Sequence, residues 1–421
     1  MTPANPPPAP ETAPPTDAPA HWGGVLAITL CVFALVASEF MPVSLLTPMA
    51  AELQVSEGWA GYGIAISGAF AVLTSLFITR LAGTLNRKTV LLGLTALMAL
   101  SGLIVGAAPN YPVYLLGRAL IGVVIGGFWS LSAAVAMRLV PSEQVPRALA
   151  VFNGGNALAT VVAAPLGSYL GGVIGWRGAF YCLVPVALLA LAWQWRSLPP
   201  LRGTAPASAN ALRLFRRPLI ARGMAAVGVF FMGQFMLFTY LRPFLETVTR
   251  VDVPVLSLLL LTLGLAGFAG TALIGRVLQA GLYRPLIAIP LVMAGLAWAL
   301  TAFGGSTAAT FVLLGAWGLV ATAAPVGWWS WVAATLPDDA ETGGGLMVAV
   351  VQLSIALGST VGGLLYDSRG YQATFGLSAL LLIGAALLAL WTARSASAPA
   401  RTRRPAPIHE SCSTEHAATG R

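Results

Sequence analysis

Long apolar runs and short polar intervals alternate along the chain between its two polar ends. A helix needs roughly 20 apolar residues to cross the hydrocarbon core of a bilayer, and twelve runs suited to this role follow one another. Backbone groups without hydrogen bonds are too costly in hydrocarbon for lipid-exposed strands or loops. The pattern therefore predicts an all-α polytopic membrane protein with twelve transmembrane helices. The runs cover residues 24–47, 59–79, 90–107, 113–137, 149–171, 180–195, 223–241, 255–274, 285–303, 308–335, 346–366 and 375–393.

The composition agrees with a membrane protein and excludes several soluble classes. Of 421 residues, 57% are apolar and 9% are charged, and the mean hydropathy is +0.82. A soluble protein carries about a quarter charged residues, so this chain cannot cover itself in water and a soluble enzyme is excluded. The three cysteines, Cys31, Cys182 and Cys412, lack the spacing of a metal site or of a disulfide framework. We therefore expect neither a metal site nor a disulfide scaffold.

The positions of lysine and arginine predict the orientation. With both termini in the cytoplasm, 18 of the 23 basic residues lie on the cytoplasmic side, four lie outside, and Arg118 lies inside a span. This bias follows the positive-inside rule and predicts a multi-pass inner-membrane protein with both termini cytoplasmic. The formal charge is +9, but the basic residues are spread over many loops, so a nucleic-acid partner is not expected. The four outer arginines are Arg177, Arg242, Arg250 and Arg369.

Two halves of the chain resemble each other when the sequence is shifted by 195 residues. The shift places Glu39-Phe40-Met41 on Gln234-Phe235-Met236 and Gly175-Trp176 on Gly370-Tyr371. Chance similarity between apolar segments is the alternative explanation. Membrane carriers are often built from repeated halves, so the match favours a duplicated unit of six helices. The predicted parts are a disordered Pro-rich cytoplasmic tail (1–22), an N-terminal half (23–196), a cytoplasmic linker (197–218), a C-terminal half (219–394) and a cytoplasmic tail (395–421).

Two six-helix halves joined by a basic cytoplasmic link resemble the plan of the major facilitator superfamily. The resemblance implies a fold in which the two halves rock about a central site and expose it to each side of the membrane in turn. It also implies a pocket lined mainly by spans 1, 4, 7 and 10. A small-molecule substrate, protons and the lipid bilayer are the partners that such a protein needs, and we expect it to be monomeric.

Two ionisable side chains lie deep inside the predicted spans, Glu39 in span 1 and Arg118 in span 4. Ionisable groups inside a bilayer are costly and are functional candidates by default. Desolvation disfavours an ionised carboxylate, so Glu39 is the candidate proton carrier, although a structural hydrogen-bonded acid is the alternative. Arg118 stays charged and either tunes Glu39 or ties helices together. The position equivalent to Glu39 in the repeat is Gln234, which has no titratable proton.

Aromatic and amide side chains in the spans are candidates for substrate binding. Flat rings offer stacking faces to a planar ligand, whereas lipid-facing or interfacial tryptophan is the alternative. Amides can bind a ring edge or a sugar, and they can equally join one helix to another. The candidates are Phe40, Trp129, Tyr240, Trp328, Trp329, Asn153, Asn156, Gln234 and Gln352.

Two short motifs resemble signatures of the superfamily. Span 5 contains Ala163-Ala164-Pro165-Leu166-Gly167-Ser168, which is similar to the antiporter signature, so the resemblance implies that Pro165 and Gly167 form a hinge and seal. The loop at 79–88 occupies the place of the superfamily's loop motif, which expects glycine at Thr79 and an acidic residue at Gly83. Only Arg87 and Lys88 match it, and they are the candidate cytoplasmic loop gate.

Longer strings of residues resemble one group within the drug:proton antiporter branch, the bacterial purine ribonucleoside efflux pumps. The match runs from about residue 22 to residue 394. It implies proton-coupled export of inosine-like nucleosides and purine analogues, and a link to multidrug resistance. The strings include Glu39-Phe40-Met41-Pro42-Val43-Ser44, Gly126-Gly127-Phe128-Trp129-Ser130, Gly233-Gln234-Phe235, Phe238-Thr239-Tyr240-Leu241-Arg242-Pro243 and Gln352-Leu353.

Other functions remain open at this stage. A proton-driven exporter of sugars or of diverse drugs is the alternative within transport, and inosine competition would distinguish it. A membrane-embedded enzyme needs paired acids, a metal cluster or a nucleophile with a base inside the bilayer, and a sensor would bind ligand without flux. The sequence lacks the G-x-x-x-x-G-K-[ST] motif of nucleotide-driven transport. We therefore expect no cofactor, and an ion gradient as the energy source.

Overall fold

The computed structural model describes residues 20–201, 211–336 and 340–397, and these residues form thirteen α-helices and no strand. Eleven of the described helical segments are long and apolar enough to cross a membrane. The helices are α1 (Trp22–Leu53), α2 (Glu57–Ala82), α3 (Arg87–Gly106), α4 (Tyr111–Arg138), α5 (Val145–Ser197), α6 (Pro218–Phe238), α7 (Leu241–Phe244), α8 (Val253–Gln279), α9 (Tyr283–Phe303), α10 (Thr307–Ala321), α11 (Ala324–Thr335), α12 (Ala340–Arg369) and α13 (Tyr371–Ser397).

Helix α5 contains two spans. Its 53 residues would reach about 80 Å if straight, whereas a hydrocarbon core is about 30 Å thick. The helix breaks at Gly175, where φ is 75° and ψ is 163°. Beyond the break the chain runs back along α3, where Thr95 Oγ1 donates a hydrogen bond to Gln194 Oε1 over 3.2 Å. The predicted spans 149–171 and 180–195 are therefore separated by a reversal at one glycine.

The repeat extends to details of the backbone. Gly175 and Gly370 have φ of 75° and 78°, and each separates the last two spans of its half. Gln54 and Arg250 have φ of 56° and 58°, and each follows the first span of its half. These equivalences, together with the order of the helices, confirm the predicted fold of two pseudo-symmetric halves.

The helical path of the seventh span continues beyond the end that the sequence predicts. The expected end was residue 241, but the path continues through α7 and a π-helical turn at Leu245–Thr249. Arg242 was expected in an outer loop; it lies in the short helix α7, beyond the apolar segment Pro218–Phe238 that is long enough to cross a membrane, and only 4% of the residue is exposed. The apolar residues Pro243, Phe244 and Leu245 pack into the core and carry Arg242 inward.

The two halves meet along two antiparallel helix pairs, α2 with α12 and α5 with α8. A Cβ on Gly68 would lie 2.8 Å from the carbonyl oxygen of Gln352, and one on Gly264 would lie 2.8 Å from that of Val161. Lipid tails give helices no hydrophobic reason to associate, so close backbone packing through small residues holds such interfaces together. We call the end of the bundle opposite the chain termini the distal end; it carries the turns after α1, α3, α9 and α12.

The predicted tails and linker are described only in part. Residues 1–19, 202–210 and 398–421 lie outside the described residues, so the domain boundaries stay predictions. At the linker, Asn86 Oδ1 accepts hydrogen bonds of 3.0 Å from the backbone N–H groups of Lys88 and Leu201. This contact attaches the start of the linker to the N-terminus of α3.

Replacement of Gly175 by alanine is expected to destabilise the protein by about 1–3 kcal/mol, because its φ and ψ belong to a region almost restricted to glycine. A Cβ at this position meets no atom within 4 Å, so backbone strain is the whole cause. The measurement is the thermal unfolding midpoint of the purified protein in detergent. Gly93→Ala is the matched control, because Gly93 lies inside α3 and its Cβ would also meet nothing within 4 Å. An equal midpoint for both variants would contradict the expectation.

Candidate functional site

The Glu39 carboxyl group lies at the contact between the two halves. It is buried, with 7% of the residue exposed. Gln352 Nε2 on α12 donates a hydrogen bond to Glu39 Oε1 over 3.1 Å. Because α1 and α12 belong to different halves, the single acid in the centre of α1 has its hydrogen-bond partner in the other half.

Two phenylalanines next to this acid mark the symmetry axis. Phe40 and Phe235 stack with ring centroids 5.9 Å apart and an interplanar angle of 22°. They occupy equivalent positions in the repeat, 195 residues apart, so two equivalent residues that touch must lie at the pseudo-two-fold axis. Phe238 packs against Phe40 edge-on, with a centroid distance of 6.4 Å. The stacked pair therefore occupies the middle of the interface between the halves.

Gln234, which precedes Phe235 in α6, carries a polar atom without a partner among the described residues. Its Oε1 atom is buried and has no hydrogen-bond partner in the described structure. A buried acceptor left unpaired costs about 1–3 kcal/mol, so the amide is available to a donor on a ligand. Its repeat equivalent is Glu39, and the two positions together offer one acid and one amide around the axis.

Arg118 fastens three helix segments around Glu39. Its Nη1 donates to the carbonyl oxygen of Ser38 over 2.8 Å, and its Nε donates to that of Gly63 over 3.1 Å. Its Nη2 donates to Ser67 Oγ over 3.1 Å and to the backbone carbonyl of Glu39 over 3.4 Å. The residue is 1% exposed. It therefore joins α4 to α1 and α2, and its charge faces backbone groups beside the acid.

Two predicted binding residues are fully enclosed by protein. Tyr240 is 0% exposed, its hydroxyl donates to the carbonyl of Ser359 over 2.7 Å, and its ring stacks on Tyr366. Trp328 is 1% exposed and packs edge-on against Trp331. Neither ring offers a free face in this arrangement, so both residues pack helices together here.

The remaining predicted binding residues lie apart from the central group. Trp129 is half-buried and packs edge-on against Phe152 within the N-terminal half. Asn153 is exposed, and its Nδ2 donates to the carbonyl of Leu149 in its own helix. Asn156 is half-buried, and Trp329 is 44% exposed. The structure thus gathers Glu39, Phe40 and Gln352 at the interface between the halves and distributes the others along the helices.

The motif residues of span 5 pack closely on α1. A Cβ on Gly167 would lie 2.7 Å from Ser44 Oγ and 3.0 Å from Met41 Cγ. Pro165 lies inside α5 two residues earlier. Close packing at Gly167 suits a seal between these helices, while the hinge role stays a prediction.

The two basic residues of the loop after α2 begin α3. Arg87 is 8% exposed, and its backbone N–H donates to the carbonyl of Leu201 over 2.8 Å. Lys88 is half-buried, and its N–H is capped by Asn86. Both residues thus stand beside the start of the linker, and the gate role stays a prediction.

Sequence reasoning missed Arg242, and the repeat contained the signal that would have found it. A shift of 195 residues places Arg242 on Thr47, which lies inside the first predicted span. Extending span 7 to the length of span 1 would have included Arg242 in the helical segment. Phe238 was missed as a partner of Phe40 because only a folded structure brings α1 and α6 together.

The sequence pattern of the Major Facilitator Superfamily matches residues 28–355. The chain is a member of this superfamily. Its architecture agrees with that of a solved bacterial homolog of the human lysosomal transporter Spinster, in an inward-facing and unoccupied conformation, with a TM-score of 0.74 and 15% identity. That match covers 90% of this chain and 98% of the other. The protein is therefore a multi-pass membrane transporter of this superfamily.

Two relatives differ in what their names state. The transcription regulatory protein OpdE of Pseudomonas aeruginosa is 66% identical over 384 residues, which cover 90% of this chain and 95% of the relative. The purine ribonucleoside efflux pump NepI of Salmonella enteritidis is 40% identical over 369 residues, which cover 87% of this chain and 93% of that pump. The second match confirms the resemblance to this group of pumps.

Proposed function

We propose that the protein is a proton-coupled exporter of purine ribonucleosides and purine analogues that works by alternating access. It lies in a bacterial inner membrane with both termini in the cytoplasm, needs no cofactor, and draws its energy from the proton gradient. The observation that carries the proposal is the hydrogen bond between Glu39 and Gln352 across the two halves. A change in the protonation of this acid changes a contact between the parts that move.

Competition between substrate and proton for Glu39 provides the exchange. When ionised, the carboxylate only accepts hydrogen bonds, so it attracts ribose hydroxyl groups and ring N–H groups. When protonated, it loses its charge and holds such donors less strongly. The Glu39 carboxyl group binds either the substrate or a proton. The substrate therefore binds from one side of the membrane and the proton from the other.

The aromatic pair and the free amide support a nucleoside as substrate. Phe40 and Phe235 stack on each other at the axis; when the halves separate there, their facing surfaces become free, and a base can stack on such a surface with about 1–3 kcal/mol. The Gln234 acceptor suits an N–H group on the edge of a purine. The relative with 40% identity is named a purine ribonucleoside efflux pump, which favours this substrate class over sugars.

The test uses inside-out vesicles that contain the purified protein, an acidic interior and labelled inosine. We expect inosine to accumulate inside, by up to about tenfold per pH unit for each proton exchanged, and the accumulation to disappear with a protonophore. Vesicles without the protein are the control. Accumulation of a sugar or a cationic dye in place of inosine would reject the nucleoside and support the broader exporter.

A membrane regulator is the second candidate function, because a relative with 66% identity is named a transcription regulatory protein. An exporter that lowers the cytoplasmic level of an effector would also alter transcription without touching DNA. Inosine binding to the purified protein, with no flux of inosine, sugars or dyes under a pH gradient, would favour the regulator.

A further inference from the structure

A buried cation of the C-terminal half contacts the backbone of the N-terminal half near the distal end. Arg242 Nη1 donates to the carbonyl oxygen of Ser44 on α1. Its Nε donates to Glu246 Oε1 over 2.8 Å, so an acid one turn later holds the guanidinium in place. A charged donor to a backbone acceptor forms a strong hydrogen bond where water is excluded. Arg242 is therefore a specific contact between the halves.

A carboxylate of the C-terminal half makes a second contact at the same end. Asp367 Oδ1 accepts a hydrogen bond from the backbone N–H of Gly58 over 3.0 Å, and Asp367 Oδ2 accepts one from Ser56 Oγ. Both donors belong to the first turn of α2 or precede it directly. A negative charge is favoured at a helix N-terminus, where unpaired N–H groups and the helix dipole are positive.

The repeat shows that the two contacts are not reciprocated. The position equivalent to Arg242 is Thr47, and the position equivalent to Asp367 is Gly172. Neither residue carries a charge, and Gly172 meets the other half through Val253, 2.8 Å from where its Cβ would lie. The charged side chains in these contacts therefore all belong to the C-terminal half. Their hydrogen-bond partners in the N-terminal half are neutral, either backbone groups or the Ser56 hydroxyl.

We infer that these two contacts are the clamps that hold the distal, predicted external, side closed, and that they must break each time the transporter opens outward. We call the Arg242–Ser44 contact and the contact of Asp367 with Ser56 and Gly58 the distal clamps. The halves separate at one end when they rock, and both clamps span the interface at that end. The inference rests on the proposed alternating access and is independent of the substrate.

The experiment measures the opening of the distal end by spin-label distances in nanodiscs without substrate. Labels are placed at Ala107→Cys and Ala302→Cys, two exposed positions near the distal ends of α3 and α9, one in each half. Cys182, which is exposed, is replaced by serine together with Cys412, whereas the buried Cys31 is kept. Double electron–electron resonance then gives the populations with short and with long distances.

Both clamp variants are expected to shift the population toward longer distances. Arg242→Gln should raise the ratio of long to short distances about tenfold, because it removes a buried charge-assisted hydrogen bond. Asp367→Asn keeps the shape of the side chain, removes its charge at the helix end and replaces one of its two acceptor oxygens by an NH2 group, so about a threefold rise is expected. Ser56 Oγ still caps Trp59 N–H in this variant, so α2 itself stays capped.

Arg177→Gln is the matched control. Arg177 also lies at the distal end and pairs with an acid, but its partners Glu52 and Ala108 belong to its own half. We expect its distances to equal those of the wild type. Wild-type distances in both clamp variants, or an equal shift in Arg177→Gln, would overturn the inference.

Two further readouts keep the outcome clear. Size-exclusion chromatography identifies the variants that fold. If Arg242→Gln does not fold, the distances in Asp367→Asn test the clamps, because Asp367 is exposed. Longer distances in the clamp variants, together with an absence of inosine transport by the wild-type protein, would reject the proposed substrate and keep the clamps. Inosine transport by the wild-type protein, together with unchanged distances in both clamp variants, would reject the clamps and keep the substrate.

Discussion

Glu39→Gln is expected to abolish accumulation driven by the pH gradient while it preserves exchange of labelled for unlabelled substrate. Glutamine has nearly the shape of glutamate, and its Oε1 can still accept the hydrogen bond from Gln352 Nε2. The contact between the halves therefore persists, but the position can no longer gain or lose a proton. The ratio of internal to external inosine should fall from up to about tenfold per pH unit to one.

The measurement compares gradient-driven uptake with counterflow in the same inside-out vesicles. Glu52→Gln is the matched control, because Glu52 lies on the same helix but pairs with Arg177 inside its own half. The control should accumulate inosine like the wild type. Full accumulation by Glu39→Gln would instead give the acid a structural role. Loss of both accumulation and counterflow at saturating inosine would show that substrate binding requires the carboxylate charge, since the neutral amide is expected only to weaken that binding.

Arg118→Lys is expected to reduce transport by about tenfold or more, since small displacements of a positioned group carry costs of this size. Lysine keeps the charge but has a single nitrogen, whereas the guanidinium reaches Ser38 on α1 and Gly63 and Ser67 on α2 from separate atoms. At least one buried acceptor loses its partner, at about 1–3 kcal/mol. The thermal unfolding midpoint should therefore fall together with the transport rate.

Uptake of inosine and thermal unfolding are measured on the same preparations. Arg276→Lys, at an exposed position in the last turn of α8, is the control for the chemical change itself. A variant that keeps both its midpoint and its transport rate would show that charge alone is required at Arg118. A normal midpoint with slow transport would place the effect on Glu39 and its surroundings.

The sequence predicted the number of spans, the repeat and the acid at the centre, because each leaves a local signal. Hydrophobic length defines a span, and a carboxylic acid inside an apolar run is conspicuous. The repeat even predicts that Phe40 and Phe235 occupy equivalent sites. The contact between them was not predicted, because it depends on how closely α1 and α6 approach at the axis.

Several predicted binding residues were not brought together, because composition does not show which way a side chain on a helix faces. Tyr240 and Trp329 both lie in predicted pocket spans, yet one is fully buried and the other 44% exposed. Which face of a helix meets lipid, protein or a cavity depends on its neighbours, and helices in a membrane lack the strong polar face that would reveal it. The burial of Arg242 in a helix was missed for a different reason: a charged residue followed by proline looks like the end of an apolar run.

The unequal charges of the two halves imply a division of labour within a duplicated architecture. Glu39 and Arg118 both belong to the N-terminal half. The equivalent positions in the C-terminal half are Gln234 and the apolar stretch that contains Leu313 and Leu314. The charges that hold the distal contacts belong to the C-terminal half. The proposed proton-coupling acid therefore lies in one half, and the charges of the distal contacts lie in the other. If the two halves were joined in the opposite sequence order, the proposed response to pH would therefore still come from the half that carries Glu39, and the charges of the distal contacts from the half that carries Arg242 and Asp367.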